Sequence, residues 1–126
     1  MRLLEVHIEV EDLDAALEFY SALLPHRKVV RFSDSQAYAL VLDDGAAFGL
    51  WQKGKNGLHG GQGAAHLHFA LQIAPDEYDS YLQRLRELGV KPIEHLWSDG
   101  HRSIYFFDRD GHQGEFMTRD WIPSAG

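Results

Sequence analysis

The chain has no cysteine. Disulfides, thiolate nucleophiles and thiolate metal sites are therefore excluded, and any metal must be held by histidine and carboxylate. Long apolar runs are missing too: none approaches the ~18–20 residues of a membrane span. The opening stretch MRLLEVHIEVED lacks the basic start and unbroken apolar segment of a signal peptide. No membrane segment is expected, and the location expected is cytoplasmic. Basic residues are in deficit, 12 Lys and Arg against 19 Asp and Glu, for a formal net charge of -7. Nucleic acid and anionic membranes require clustered cations, so neither is an expected partner. The short groups His26 to Lys28 and Arg84 to Arg86 read as local solvated charge.

What is present suits one globular domain: 126 residues, 44% hydrophobic and 25% charged. Alternation in LEVHIEV puts Leu4, Val6, Ile8 and Val10 on one strand face and Glu5, His7 and Glu9 on the other. Asp12 then stands as an N-cap. Leu13, Ala16, Leu17, Tyr20, Leu23 and Leu24 follow at helical spacing until Pro25 ends the run. Three short apolar segments, KVVRF, AYALVL and AAFGLW, are separated by SDSQ and DDG and read as a meander.

The second half repeats this order. HLHFALQI, from His66 to Ile73, is a strand with His66, His68, Ala70 and Gln72 on one face. Pro75 and Asp76 start a helix carrying Tyr78, Tyr81, Leu82, Leu85 and Leu88, with Gly89 as its C-terminal cap. VKPIEHLW, RSIYFF and HQGEFM are the further strands, divided by SDGH and DRDG. Superposed without gaps, EVHIEVEDLDAALEFYSAL falls on HFALQIAPDEYDSYLQRLR, which places Glu5 on His68 and Val10 on Ile73. The turns DDG and RDG also correspond, aligning Gly45 with Gly111 and Gly49 with Glu115. The expected architecture is α+β: two tandem βαβββ modules, about 1–53 and 65–121, joined by a glycine-rich connector of about 54–64.

The polar faces carry the chemistry. Apolar faces of the first and fifth strands are needed by the helices, which turns Glu5, His7, Glu9, His66, His68 and Gln72 the other way. Glu115 shares a face with Gln113 and Met117, while Phe116 points away. Carboxylates and imidazoles on one side of three strands suit a divalent ion of hard or intermediate character, Mn²⁺, Mg²⁺, Ni²⁺ or Zn²⁺. A solvated sheet face with hydrogen-bonded histidines would carry the same pattern.

Two βαβββ modules, EDLDAALEFY, HFALQI and SIYFFDRDGHQGEF together resemble the vicinal oxygen chelate superfamily, which includes glyoxalases, bleomycin- and fosfomycin-resistance proteins and extradiol dioxygenases. The resemblance runs from about Leu3 to Trp121. It implies a curved eight-stranded mixed sheet, an incomplete barrel with helices on the convex face, a metal on the concave face, and association as a homodimer. Ligands come from the first and last strand of each module, which by position are Glu5, His68, Gly49 and Glu115. Gly49 has no donor atom, so Glu5, His68 and Glu115 remain for one divalent ion, resembling the three-ligand set of fosfomycin-resistance transferases. The family's first position is often His, and here it is Glu5. A bulge could instead bring His7 to the ion. The chain also departs from the family at LLPHRK, after the first helix, and at DRDG in place of the common aspartate-proline-aspartate-glycine turn.

The resemblance thus implies a metal-dependent enzyme chelating vicinal oxygens of a small substrate, as isomerase, lyase or transferase. Three protein ligands leave positions open for those oxygens. His7, beside the ion, and Glu5 are the candidates for moving a proton. Trp51, His66, Arg102 and Tyr105 are candidates to touch substrate: Trp51 as an aromatic wall, Arg102 with His101 toward an anionic group. The alternative is a metal-free, bleomycin-resistance-like protein that binds a drug or metabolite. An Fe(II) extradiol dioxygenase is the remaining reading, and it would need His7 as a ligand. His59 is expected to be exposed, and His95 and His112 have no partner that the sequence identifies.

Overall fold

A computed structural model describes residues 2–32, 36–54 and 68–119. The chain divides into two compact units, Met1–Ala64 and Ala65–Gly126. Beyond Gly54 the connector lies outside the described residues, as does His66. No described helix is long and apolar enough to cross a membrane.

In unit 1, β1 (Glu5–Val10) leads into α1 (Leu13–Leu23), then β2 (His26–Arg31), β3 (Ala37–Leu42) and β4 (Ala47–Gln52). Asp12 caps α1 as expected, its carboxylate accepting the Ala15 N–H at 3.0 Å. The helix ends before Pro25, with the Leu24 N–H closing onto the Tyr20 carbonyl at 2.8 Å. The sheet order is β1-β4-β3-β2. Only β1 and β4 run parallel; the other pairs form the expected antiparallel meander. Ile8, Val10, Leu40, Phe48 and Leu50 are buried under the α1 stripe of Leu13, Ala16, Tyr20 and Leu23. Tyr20 and Phe48 join the two layers, ring centroids 4.8 Å apart.

Unit 2 has the same order. β5 (His68–Gln72) is followed by the 3-10 turn Pro75–Glu77, α2 (Tyr78–Glu87), β6 (Ile93–Leu96), β7 (Arg102–Phe107) and β8 (Gln113–Met117). Pro75 starts a 3-10 turn rather than the α-helix itself, which begins at Tyr78. Gly89 takes φ +77, the left-handed conformation that a C-terminal cap requires. Strands pair as β5-β8-β7-β6, with β5 and β8 parallel. The eight expected strands are thus all present, hydrogen-bonded as two mixed sheets of four. Under α2 lie Ile104, Phe106 and Phe116, with Tyr81 packed on Phe116 at 4.5 Å between centroids.

The ladders also obey the gapless superposition. Glu5 pairs with Ala47 as His68 pairs with Gln113, and Ala39 pairs with Gly49 as Tyr105 pairs with Glu115. Gly45 and Gly111 turn equivalent corners at φ +90 and +86.

Candidate functional site

In unit 1, β1 and β4 stay in unbroken register from Glu5 opposite Ala47 to Val10 opposite Gln52. β1 therefore has no bulge that would shift His7 into the place of Glu5. His7 lies opposite Gly49, and its imidazole covers that glycine. The next side chain on that face of β4 is Trp51, whose indole N–H donates to His7 Nδ1 at 2.8 Å. The indole is stacked in turn on Phe32, centroids 5.8 Å apart. On its other side the imidazole places Nε2 3.3 Å from Glu5 Oε2. Glu5 is the more exposed of the two, 58% against 29% for His7.

In unit 2, His68 pairs with Gln113 and Ala70 with Glu115. His68 and Ala70 share a face, so Glu115 is the diagonal neighbour of His68, within reach of two long side chains. Glu115 is only 6% exposed. The Ser103 hydroxyl donates to its Oε2 at 2.6 Å, and the Trp97 indole N–H donates to Ser103 Oγ at 2.9 Å. Tyr105 stands directly across the ladder from Glu115. Burial first, then the Glu115 charge, push the Tyr105 hydroxyl above the ordinary phenol range, so it remains a donor. Among the described residues no salt bridge reaches Glu115.

The two units use the repeat in complementary ways. Glu115 on β8 stands where unit 1 has Gly49, whereas His7 on β1 stands where unit 2 has Ala70. In each unit a tryptophan indole N–H orients the polar group, directly to His7 or through Ser103 to Glu115.

Among the residues singled out in the sequence, Glu5, His7 and Trp51 gather on one face of the first sheet. His68, Tyr105 and Glu115 gather on one face of the second. Arg102 goes elsewhere: its guanidinium lies over the Tyr78 ring at 3.7 Å, on the α2 side of β7. The physical reason is the pleat, which turns Arg102, Ile104 and Phe106 one way and Ser103, Tyr105 and Phe107 the other. Beneath it, Tyr78 donates to Glu94 at 2.8 Å, and burial and that bond raise its hydroxyl to about 12.

Ser103 and Trp97 are not among the residues singled out in the sequence, although alternation puts Ser103 beside Tyr105. His112 has a partner that the sequence does not identify. Asp108, Asp110 and His112 in fact bring their ligand atoms within 4.8 Å of one another, close enough to hold a divalent ion. The Asp108 carboxylate is already engaged there, accepting from the N–H groups of Asp110 (2.9 Å) and His112 (2.8 Å) and from His112 Nδ1 (2.8 Å). These bonds close the β7–β8 turn, and the D-x-D-G-H spacing was the available signal.

Two βαβββ units, each presenting carboxylate and imidazole on one sheet face, define a tandem-repeat fold of the glyoxalase type. Residues 2–116 match the Glyoxalase/Bleomycin resistance protein/Dioxygenase superfamily, and the chain belongs to that family. It is 31% identical over 114 residues to the metallothiol transferase FosB of Lysinibacillus sphaericus, covering 86% of this chain and 76% of that protein. It is 40% identical over 47 residues to the fosfomycin resistance protein FosX of Listeria innocua; that match spans 36% of this chain and about a third, 35%, of FosX. Among solved structures, a variant of Listeria monocytogenes FosX complexed with Mn(II) and 1S,2S-dihydroxypropylphosphonic acid superposes with a TM-score of 0.74. It is 24% identical, covering 96% of this chain and 91% of the other.

Proposed function

We propose that this chain is a metal-dependent enzyme with Glu5, His68 and Glu115 as metal ligands, a bound divalent ion keeping coordination positions for two neighbouring oxygens of a small substrate. The observation that carries the reading is the Glu115 carboxylate, 6% exposed, fixed by Ser103 at 2.6 Å and placed diagonal to His68 on one sheet face. Two carboxylates and an imidazole fit Mn²⁺, Mg²⁺, Ni²⁺ or Zn²⁺. Family membership supports an enzyme of this class, and the Mn(II) and vicinal diol bound by the FosX variant make Mn²⁺ the first ion to try.

When bound, such an ion supplies stabilisation for negative charge developing on a chelated oxygen. The chain's own residues do the rest. Ser103 holds Glu115 in one orientation by donating to it, which leaves its remaining lone pairs for coordination. His7, beside Glu5 at 3.3 Å, holds a proton where substrate chemistry needs one. Isomerisation, lyase chemistry and group transfer all fit this arrangement.

The test is metal content of untagged protein after Mn²⁺, Ni²⁺ and Zn²⁺ titration. One ion per chain is expected, with Glu115→Ala losing it while its circular dichroism is unchanged. Full metal content in Glu115→Ala contradicts the ligand assignment. No metal in the unaltered chain points to the metal-free binding protein instead.

A further inference from the structure

A neutral imidazole carries a lone pair on one nitrogen and a proton on the other, whereas an indole N–H only donates. With Trp51 Nε1 at 2.8 Å, His7 Nδ1 is therefore the acceptor and the proton sits on Nε2. Nε2 is the nitrogen facing Glu5 Oε2, 3.3 Å away. Turning the ring round gives up the bond from the indole. The imidazole rests over Gly49, where an added Cβ would lie 1.9 Å from Nδ1 and 2.8 Å from Cγ. Trp51 is itself fixed by stacking on Phe32 and by its ladder places opposite Glu9 and Ala37.

We infer that Trp51 is a positioning residue: its indole N–H selects the Nε2–H tautomer of His7, so that His7 offers an ion no lone pair, Glu5 is the first-strand ligand, and His7 is a hydrogen-bond donor beside it. Gly49 is the second part of the device, the missing side chain that lets the ring lie within reach of the indole. The consequence for the ion rests on the metal-dependent reading; the tautomer does not. The indole N–H, engaged with His7, is also withdrawn from any role as a donor to substrate.

The experiment is side-chain ¹⁵N–¹H correlation spectroscopy on the metal-free full chain at pH 8.5, with His7 assigned through His7→Gln. Wild type should show Nε2 protonated and Nδ1 unprotonated, without averaging. Trp51→Phe keeps a ring against Phe32 but removes the donor, and Gly49→Ala pushes the imidazole from its place. Both should lose the single-tautomer pattern and show averaged nitrogen shifts. Averaged tautomers in wild type, or an unchanged Nε2–H pattern in both variants, overturn the inference. With Mn²⁺ loaded, the nitrogen modulation of the ion's electron spin echo should be the same in wild type and His7→Gln. A change would put His7 on the ion and overturn it as well. A Trp51-dependent single tautomer in a chain that takes up no Mn²⁺ upholds the positioning role and removes the metal-dependent reading alone.

Discussion

His7 and Gly49 face one another across the β1–β4 ladder, and the imidazole occupies the space that any side chain at Gly49 would need, with only 1.9 Å between an added Cβ and Nδ1. The ring is partly exposed, at 29%, so it can swing outward when displaced. Gly49→Ala should therefore fold, at a cost near the lower end of the roughly 1–3 kcal/mol typical of overpacking. Urea denaturation measures it.

Gly114 has the same relation to Phe106, but on the buried face. A Cβ there would come 2.2 Å from Phe106 Cζ, and Phe106 has no exposed surface into which to move. Gly114→Ala should cost more than Gly49→Ala, about 3 kcal/mol, with a lower urea midpoint as the readout. Equal costs would mean that the Phe106 pocket yields as easily as the open face.

Much of this was legible in the residues alone. The Asp12 cap, the two apolar helix stripes, the corner glycines Gly45 and Gly111 and the repeat itself follow from local rules, and the ladders reproduce the superposition. Alternation also placed Glu5 with His7, and Ser103 with Tyr105. The Trp51–His7 bond was not legible, because it joins diagonal neighbours on two parallel strands whose register no local rule sets. The Trp97–Ser103–Glu115 chain depends on how the segment between β6 and β7 folds back, with Trp97 stacked on His101 at 5.4 Å. Arg102 was drawn toward the site by its nearness to the SDGH turn, while the pleat already assigned it to the Tyr78 side.

Ser103 is fully buried, and its hydroxyl is the donor that orients Glu115. Ser103→Ala removes a bond to a charged acceptor, a loss of about 1.5–3 kcal/mol. The misoriented carboxylate should weaken Mn²⁺ binding roughly 10–100-fold, as removal of a ligand's supporting bond commonly does. Isothermal titration of the variant beside the unaltered chain measures the ratio.

His112 is held above the ordinary imidazole range, first by its bond to Asp108 and then by the charges of Asp108 and Asp110, against the opposing effect of burial. A raised folded-state value means the proton binds the folded chain more tightly than the unfolded one. The stabilisation is therefore present in full below the unfolded value of about 6.5 and is lost as pH rises through the folded one. Urea denaturation at pH 5.5 and pH 8.5 should show the unaltered chain exceeding His112→Asn by more at the lower pH. A larger difference at pH 8.5 would contradict this sign.

Glu115 and His68 are the proposed ligands of the second unit, and the competing donors are those of the β7–β8 turn, Asp108, Asp110 and His112. Mn²⁺ titration followed by electron paramagnetic resonance, on the unaltered chain, Glu115→Ala, His68→Ala and Asp110→Asn, separates the two. One bound ion is expected in the unaltered chain and in Asp110→Asn, and none in Glu115→Ala or His68→Ala; an ion lost only in Asp110→Asn would contradict the assignment of Glu115 and His68.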